Sequence, residues 1–152
     1  MKSLIICKSI HVGNTEKIAR RMAKILNANL IQPKVCNLNQ LNEFDLIGFG
    51  SGIYSAKHHK SLLDLADKLP KVTNKRALIF LTAGVTGEKK VVKDHTALRN
   101  KLQAKGYKIV SEFGCKGFNK NSFLKYLGGM NKGRPNENDL SNAEDFVRNM
   151  IV

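Results

Sequence analysis

The chain has 152 residues, 42% of them hydrophobic, and 26 lysines and arginines against 12 aspartates and glutamates give it a net charge of +14. This length suits one domain, residues 1–152, with a sizeable core, and no apolar run approaches the roughly 20 residues of a membrane-spanning helix. The charge favours anionic partners, namely phosphorylated ligands, acidic proteins, nucleic acid or anionic lipid surfaces. A lysine-rich composition spread along the whole chain explains it equally well.

Apolar runs and helical patterns alternate along the chain. Strands are predicted at Lys2–Lys8, Asn29–Val35, Phe44–Gly50, Arg76–Thr82 and Tyr107–Cys115. Helices are predicted at about Asn14–Asn27, Lys60–Leu69, about Val92–Lys105 and Asp139–Met150, with Gly106 as a stop and Asn138 or Asp139 as a cap. The near-continuous apolar strands predict a doubly wound α/β domain, in which helices cover both faces of a parallel sheet.

The segment Ser9–Glu16 lies between the first strand and the first helix. Free N–H groups converge at a helix N-terminus, and the helix dipole favours negative charge there. The hydroxyls of Ser9 and Thr15 and the amide of Asn14 add donors, and Gly13 lets the backbone approach a ligand closely. The segment therefore predicts an anion site whose guest is a phosphate group.

Two further segments follow strands that should end at the same edge of the sheet. Gly50–His59 and Thr82–Gly87 both combine glycine with serine or threonine, and Tyr54 adds an aromatic ring. Ligands of such sheets bind beyond the carboxyl ends of the strands, where the strand order reverses. The three segments together suit a ligand with a phosphate tail and a flat, hydrogen-bonding head.

These segments resemble the flavodoxin family, and the resemblance covers nearly the whole chain. Gly13-Asn14-Thr15 is similar to the family's FMN-phosphate signature. Ser51–Tyr54 and Thr82–Gly84 fall where flavodoxins have their two isoalloxazine loops, and Gly128–Asn136 resembles a stretch of flavodoxin-like proteins from anaerobic bacteria and archaea. The resemblance implies a three-layer sandwich with a five-stranded parallel sheet in the order 2-1-3-4-5.

The resemblance also implies FMN as cofactor and a set of residues that bind it. These are Ser9, His11, Gly13, Asn14, Thr15, Ser51, Gly52, Ile53, Tyr54, Thr82, Ala83 and Gly84. His11 is either a phosphate donor or an exposed residue near the site, and Tyr54 either stacks on the ring or packs on its own loop. Flavodoxins flip a peptide such as that of Gly52 to bond the flavin N5–H on reduction.

Positive charge beside the expected ring distinguishes this chain from the family, whose members are usually acidic. If Lys57, His58 and His59 border the flavin, they should stabilise the anionic reduced form, so that the final reduction occurs at a less negative potential. The alternative is that Lys57 and His58 begin a helix and point into solvent. The chain has no tryptophan, so Ile53, Val85 or nothing covers the ring's other face.

The connection Lys116–Asn138 is long for a loop between a strand and a helix. It is expected either to cover the flavin, to dock a partner, or to tuck against the sheet as a loop with a short helix. The cysteines Cys7, Cys36 and Cys115 have no zinc spacing, and Cys7 and Cys115 read as buried, inert thiols. Reduced cysteines and a start that leads directly into a strand predict a cytoplasmic protein.

Two function classes remain open. The first is a one-electron carrier that shuttles electrons between redox enzymes, whose docking surfaces would be acidic. The second is a flavin-dependent oxidoreductase of flavodoxin type acting on a quinone or a protoporphyrinogen, and peripheral contact with a membrane would suit its basic surface. No residue pattern demands a general acid, base or nucleophile, which favours the carrier, and no motif supports nucleic-acid binding.

Overall fold

The computed structural model describes residues 1–9, 13–84, 86–117 and 133–151. Its strands are β1 (Ser3–Lys8), β2 (Asn29–Ile31), β3 (Leu46–Tyr54), β4 (Lys57–His58), β5 (Lys75–Ala83) and β6 (Tyr107–Lys116). Its α-helices are α1 (Asn14–Leu26), α2 (Lys60–Lys68), α3 (Glu88–Ala104) and α4 (Glu137–Ile151). No helix in these ranges is long and apolar enough to cross a membrane.

Five of the strands form a parallel sheet in the order β2-β1-β3-β5-β6. When the short β4 is set aside, this is the order 2-1-3-4-5 that the resemblance implied, so the predicted fold class is confirmed. The order reverses between β1 and β3, and the carboxyl ends of these two strands lie side by side, with Lys8 opposite Ser51. Ligand sites of parallel sheets form at such a point.

Alternate residues of the central strands enter two separate cores, because successive strand side chains point to opposite faces. Leu4, Ile6 and Phe49 belong to the core beneath α2 and α3. Ile5 and Phe80 belong to the core beneath α1 and α4. Both faces of the sheet are thus covered, which explains why the strands read as continuous apolar runs.

Strand β3 continues past its predicted end at Gly50 as far as Tyr54, because two neighbours supply backbone partners. Gly52 is opposite Thr82 of β5, and Ile53 and Tyr54 pair antiparallel with β4. The predicted second loop is therefore a hairpin. Its turn, Ser55-Ala56, has φ angles of 52° and 62°, which suits a type I′ turn but is unfavourable for residues other than glycine and asparagine.

Relief of this turn strain should stabilise the protein. The double substitution Ser55→Asn and Ala56→Gly supplies the residues that tolerate positive φ, and we expect the free energy of unfolding to rise by about 1 kcal/mol. Urea denaturation at neutral pH measures it. An unchanged or lower unfolding free energy would show that the turn is not strained.

Several other predicted bounds were wrong for local reasons. Strand β2 ends at Ile31, because Pro33 begins a 3-10 helix that extends to Val35. Helix α3 begins at Glu88, four residues before the predicted start, and its predicted stop at Gly106 is confirmed: Gly106 has φ 96°, and a Cβ there would meet the carbonyl oxygen of Val72 at 1.6 Å.

The cap of α4 lies two residues before the nearer of the two predicted positions. Asn136 Oδ1 accepts from the Asp139 N–H at 2.9 Å, and Asp139 Oδ2 accepts from the Asn136 N–H at 2.8 Å. This reciprocal pair is a capping box, so Asn136 is the cap and Asp139 lies in the first turn. Arg134 also donates to both carboxylate oxygens of Asp139, which fixes the start of the helix.

Candidate functional site at the carboxyl edge of the sheet

The N-terminus of α1 faces the carboxyl end of β1. Gly13 adopts the left-handed conformation (φ 73°, ψ 28°) and accepts the first helical bond from the Lys17 N–H. The hydroxyl oxygen of Ser9 is inaccessible to solvent and has no hydrogen-bond partner among the described residues. A buried hydroxyl without a partner is costly, so this oxygen is suited to a ligand at the helix start. His11, one of the predicted site residues, lies outside the described residues.

The hydroxyls of Thr15 and Thr82 connect the first segment to the third. Their oxygens are 2.7 Å apart, and the two residues are only 2% and 4% exposed. Thr82 in turn pairs with Gly52 of β3 through the sheet. Residues from all three predicted segments therefore meet at one edge. The Thr15 side chain faces Thr82, so Thr15 reaches the helix start through its backbone N–H.

Loss of either threonine hydroxyl should destabilise the protein. Replacement of Thr15 or Thr82 by valine leaves the other buried hydroxyl without this partner, and we expect each single variant to lose about 1–3 kcal/mol of unfolding free energy. The double variant Thr15→Val/Thr82→Val should lose less than the sum of the two, because neither polar group remains. Urea unfolding of all four proteins closes the cycle, and strictly additive losses would contradict the coupling.

The end of β3 carries the second predicted segment. Ser51 is fully buried, and Gly52, Ile53 and Tyr54 are half-buried. The hydroxyl of Tyr54 lies 2.9 Å from the position where a Cβ on Gly52 would stand, and its ring meets that of His59 edge-on at 5.3 Å. Tyr54 thus packs over its own strand, which corresponds to the second of the two roles considered for it.

The third segment consists of the end of β5 and the start of the loop after it. Thr82 and Ala83 are strand residues, and Gly84 follows them. The Ala83 carbonyl accepts from the Gly117 N–H at 3.0 Å, so β6 reaches the same edge. Val85 and most of the long connection, residues 118–132, lie outside the described residues, as does the glycine-rich stretch up to Lys132.

A chain of buried imidazoles behind Ser51 is the feature that the sequence did not predict. The Ser51 hydroxyl lies 2.8 Å from His58 Nδ1, and His58 Nε2 lies 2.9 Å from Nδ1 of His95. His95 Nε2 reaches the carbonyl oxygen of Phe113 on β6 at 3.2 Å. His58 and His95 are 2% and 0% exposed, and their ring planes are nearly parallel, with an angle of 21° between them. One signal was available, since His95 lies on the same helical face as Leu98 and Leu102.

The expectation that Lys57 and His58 begin a helix and point into solvent needs correction. The two residues form β4, not the start of a helix, and the side chain of His58 is buried, so it does not point into solvent. Burial, followed by the neighbouring His95, lowers the pKa of His58 well below its usual value. Burial and, to a smaller extent, the charge of Lys8 lower the pKa of His59. The ring of His59 caps α2 by accepting from the Ser61 N–H. Lys57 is exposed.

The cysteines offer no reactive thiolate. Burial raises the pKa of Cys7 and of Cys115 to about 12, so both thiols remain protonated at neutral pH, as expected of inert thiols. Cys36 is also free, and burial raises its pKa as well. Among the described residues, no three histidine, cysteine or acidic side chains come together in a way that could hold a metal ion.

Comparison with known proteins agrees with this architecture. A family model described as a flavodoxin domain matches residues 4–117. An uncharacterized protein of Methanocaldococcus jannaschii is 46% identical over 151 residues, which cover 99% of each chain.

Two solved structures are similar in fold. Oxidised flavodoxin 2 of Bacillus cereus superposes with a TM-score of 0.72 at 18% identity, covering 97% of this chain and 96% of that one. A Fusobacterium nucleatum flavodoxin bound to flavin mononucleotide gives 0.67 at 14% identity, covering 99% and 98%. The strand order, the segments that meet at its switch point and the family match agree, and the chain belongs to the flavodoxin family.

Proposed function

We propose that this protein is a single flavodoxin-like domain that binds FMN without a covalent bond and carries electrons, one at a time, between redox enzymes. The observation that carries the proposal is the convergence of three segments at the switch point of the sheet. The Thr15–Thr82 hydroxyl pair joins the first to the third, and strand pairing of Gly52 with Thr82 joins the second.

The helix start suits the phosphate of FMN. Ser9 would donate its buried hydroxyl, which has no partner among the described residues, and the backbone N–H groups of Gly13, Asn14 and Thr15 would donate along the first turn of α1. Asn14 would add an amide, and His11 would add a ring donor. One acidic residue, Glu16, also lies in this turn, and its charge is offset by Arg20 at 2.8 Å.

The strand ends suit the isoalloxazine. Backbone groups of Ser51, Gly52 and Ile53 would line one side of the ring and those of Thr82–Gly84 its pyrimidine edge. Tyr54 closes over Gly52 in this structure, so its ring would need to swing outward to lie against the flavin. The hairpin turn beside it makes such a movement local.

A carrier needs no more than this arrangement provides. FMN supplies the redox chemistry, since it accepts and releases electrons singly. The protein binds the ring, limits its contact with water and leaves an edge open to a partner. The two buried thiols are protonated, and Ser51, His58 and His95, which bond one another, are buried, so none of these groups is accessible to a substrate as a nucleophile or as a general base. This favours the carrier over the oxidoreductase.

Steady-state turnover distinguishes the carrier from the oxidoreductase. The FMN-loaded protein is mixed with a quinone or with NAD(P)H alone, and then with a flavodoxin reductase present. We expect slow reduction without the reductase and rapid reduction with it. Rapid turnover with the small substrates alone would contradict the carrier and support the oxidoreductase.

Lys57 is an exposed cation beside His58, whereas the two neighbouring imidazoles, His58 and His59, are uncharged at neutral pH. We therefore expect Lys57→Gln to make the final reduction of bound FMN slightly less favourable, by less than about 1 kcal/mol, because an exposed charge is strongly screened. Redox titration of both proteins at low salt measures the shift. A potential that moves in the opposite direction would contradict the predicted influence of Lys57.

The net charge of +14 supports partners with acidic docking surfaces. Peripheral contact with anionic lipid is the alternative use of this charge, and nucleic acid is not proposed as a partner. Free cysteines support a reducing, cytoplasmic location. Dependence of the electron-transfer rate on ionic strength would support charge-guided docking, and independence would contradict it.

A further inference from the structure

The hydrogen bonds of the buried imidazole chain have a fixed direction. The Phe113 carbonyl can only accept, so the proton of neutral His95 is on Nε2 and its Nδ1 accepts. His58 must then donate from Nε2 to His95, and its Nδ1 accepts the hydroxyl proton of Ser51. One backbone carbonyl on β6 thereby determines where a proton lies on β3.

That proton has a second acceptor nearby. The Ser51 hydroxyl oxygen also lies 2.7 Å from the carbonyl oxygen of Gly52, and it accepts from the His59 N–H at 2.9 Å. A serine hydroxyl has one proton, so it cannot bond both His58 and Gly52 at once. When both imidazoles are neutral, the Ser51 hydroxyl donates its proton to His58, and the Gly52 carbonyl receives no hydrogen bond from Ser51.

Reversal of the hydrogen bonds between His95, His58 and Ser51 gives the Gly52 carbonyl a new partner. If His95 gains a proton on Nδ1, it donates to His58, His58 shifts its own proton to Nδ1, and Ser51 turns its hydroxyl to the Gly52 carbonyl. Every group remains hydrogen-bonded, and one proton added to His95 on α3 produces a new hydrogen bond from Ser51 to the Gly52 carbonyl. Loss of the His95 acceptor has the same effect, since His58 is then free to carry its proton on Nδ1.

We propose that His58 and His95 are positioning residues that act through Ser51 and decide whether the carbonyl of Gly52 is held or free to turn toward the flavin. This proposal rests on the proposed function, in which the Gly52 peptide lies beside the ring.

The surroundings of His58 and His95 keep both imidazoles uncharged at neutral pH. Burial lowers the pKa of His95 to about 4, although Glu112 and the Phe113 carbonyl raise it in part. The charged groups that face His95 form two ion pairs, Asp94 with Lys90 on its own helix and Glu112 with Arg99 between β6 and α3. His58 is faced by His95. The Gly52 carbonyl should therefore receive no hydrogen bond from Ser51 at neutral pH.

NMR of the FMN-free protein at pH 7 tests the positioning directly. Imidazole ¹⁵N shifts should show His58 and His95 as Nε2–H tautomers, and the Gly52 carbonyl ¹³C shift should move in His95→Leu, where His58 can carry its proton on Nδ1. The Gly52 shift should be the same in Ser51→Ala and in the double variant Ser51→Ala/His95→Leu, because neither has the hydroxyl. His59→Asn, which keeps a cap for α2, should behave as the wild type.

The proposal would be overturned if His58 of the wild type is the Nδ1–H tautomer, or if the Gly52 carbonyl shift is unchanged in His95→Leu. If His95→Leu does not fold, acid titration of the wild type replaces it: the Gly52 shift should follow protonation of the pair in the wild type and not in Ser51→Ala.

A second measurement links the chain to the flavin. The ratio of the Kd for reduced FMN to the Kd for oxidised FMN should rise about five-fold in His95→Leu, the equivalent of one hydrogen bond that holds Gly52, and should be equal in Ser51→Ala and the double variant. An unchanged ratio overturns the positioning role while the FMN function stands. Failure of the wild type to bind FMN in either form overturns the proposed function, and with it the role of His58 and His95 toward the flavin.

Discussion

Gly13→Asp should weaken FMN binding by at least about 30-fold relative to Gly13→Asn, because the carboxylate would lie beside the phosphate. Two unit charges about 5 Å apart repel by about 3 kcal/mol at an effective dielectric constant of 20, and partial exposure reduces that figure. The backbone is the same in both variants, since asparagine and aspartate both tolerate the left-handed conformation that Gly13 adopts (φ 73°). Space is also available, since a Cβ at this position would meet Glu16 at 3.7 Å.

Riboflavin, which lacks the phosphate, separates charge from folding. Flavin fluorescence quenching gives the Kd of each variant for FMN and for riboflavin. We expect the two variants to bind riboflavin alike and to differ only for FMN. Equal FMN affinities, or a parallel loss of riboflavin binding, would contradict a phosphate at the start of α1.

Acidification below pH 6.5 should destabilise the protein. His58 and His95 have folded-state pKa values below the unfolded value of 6.5, with that of His95 at about 4, so the unfolded chain binds more protons. Their contribution to stability is complete above pH 6.5 and is lost as the pH falls toward the folded-state values. For two such histidines the loss between pH 6.5 and pH 5.5 is about 2 kcal/mol.

The substitution His95→Gln identifies the source of this loss. Glutamine keeps a donor and an acceptor but cannot gain a proton, so we expect lower stability at neutral pH and a loss of only about 1 kcal/mol over the same interval. Urea unfolding at several pH values measures both proteins. Equal acid losses would show that the buried pair does not control the pH dependence.

The sheet and most of the site region could be predicted because they depend on local patterns. Continuous apolar runs identified the central strands, and Gly106 identified the end of α3. The segment after β1 was recognised because a strand, a glycine-containing loop and a helix start form a single local unit. The order of the strands came from family resemblance, and the structure agrees with it.

Two of the features that were missed, β4 and the buried imidazoles, depend on tertiary contacts. The short β4 exists because Ile53 and Tyr54 of β3 find partners across a two-residue turn, and neither serine nor alanine is typical of such a turn. His58 looked like a surface residue between Lys57 and His59, and its burial depends on two partners from other elements, Ser51 on β3 and His95 on α3. The Asn136–Asp139 cap was hidden because Asn136, Asn138 and Asp139 are all favourable cap residues.

The most direct test of the central claim is the identity and stoichiometry of the flavin that the protein holds. The protein is purified, incubated with FMN, freed of excess ligand and denatured in acid, and the released chromophore is identified by chromatography. The account predicts FMN at one molecule per chain, with the visible absorption bands of bound flavin before release. A protein that neither contains nor retains FMN, or that retains riboflavin equally well, would contradict it.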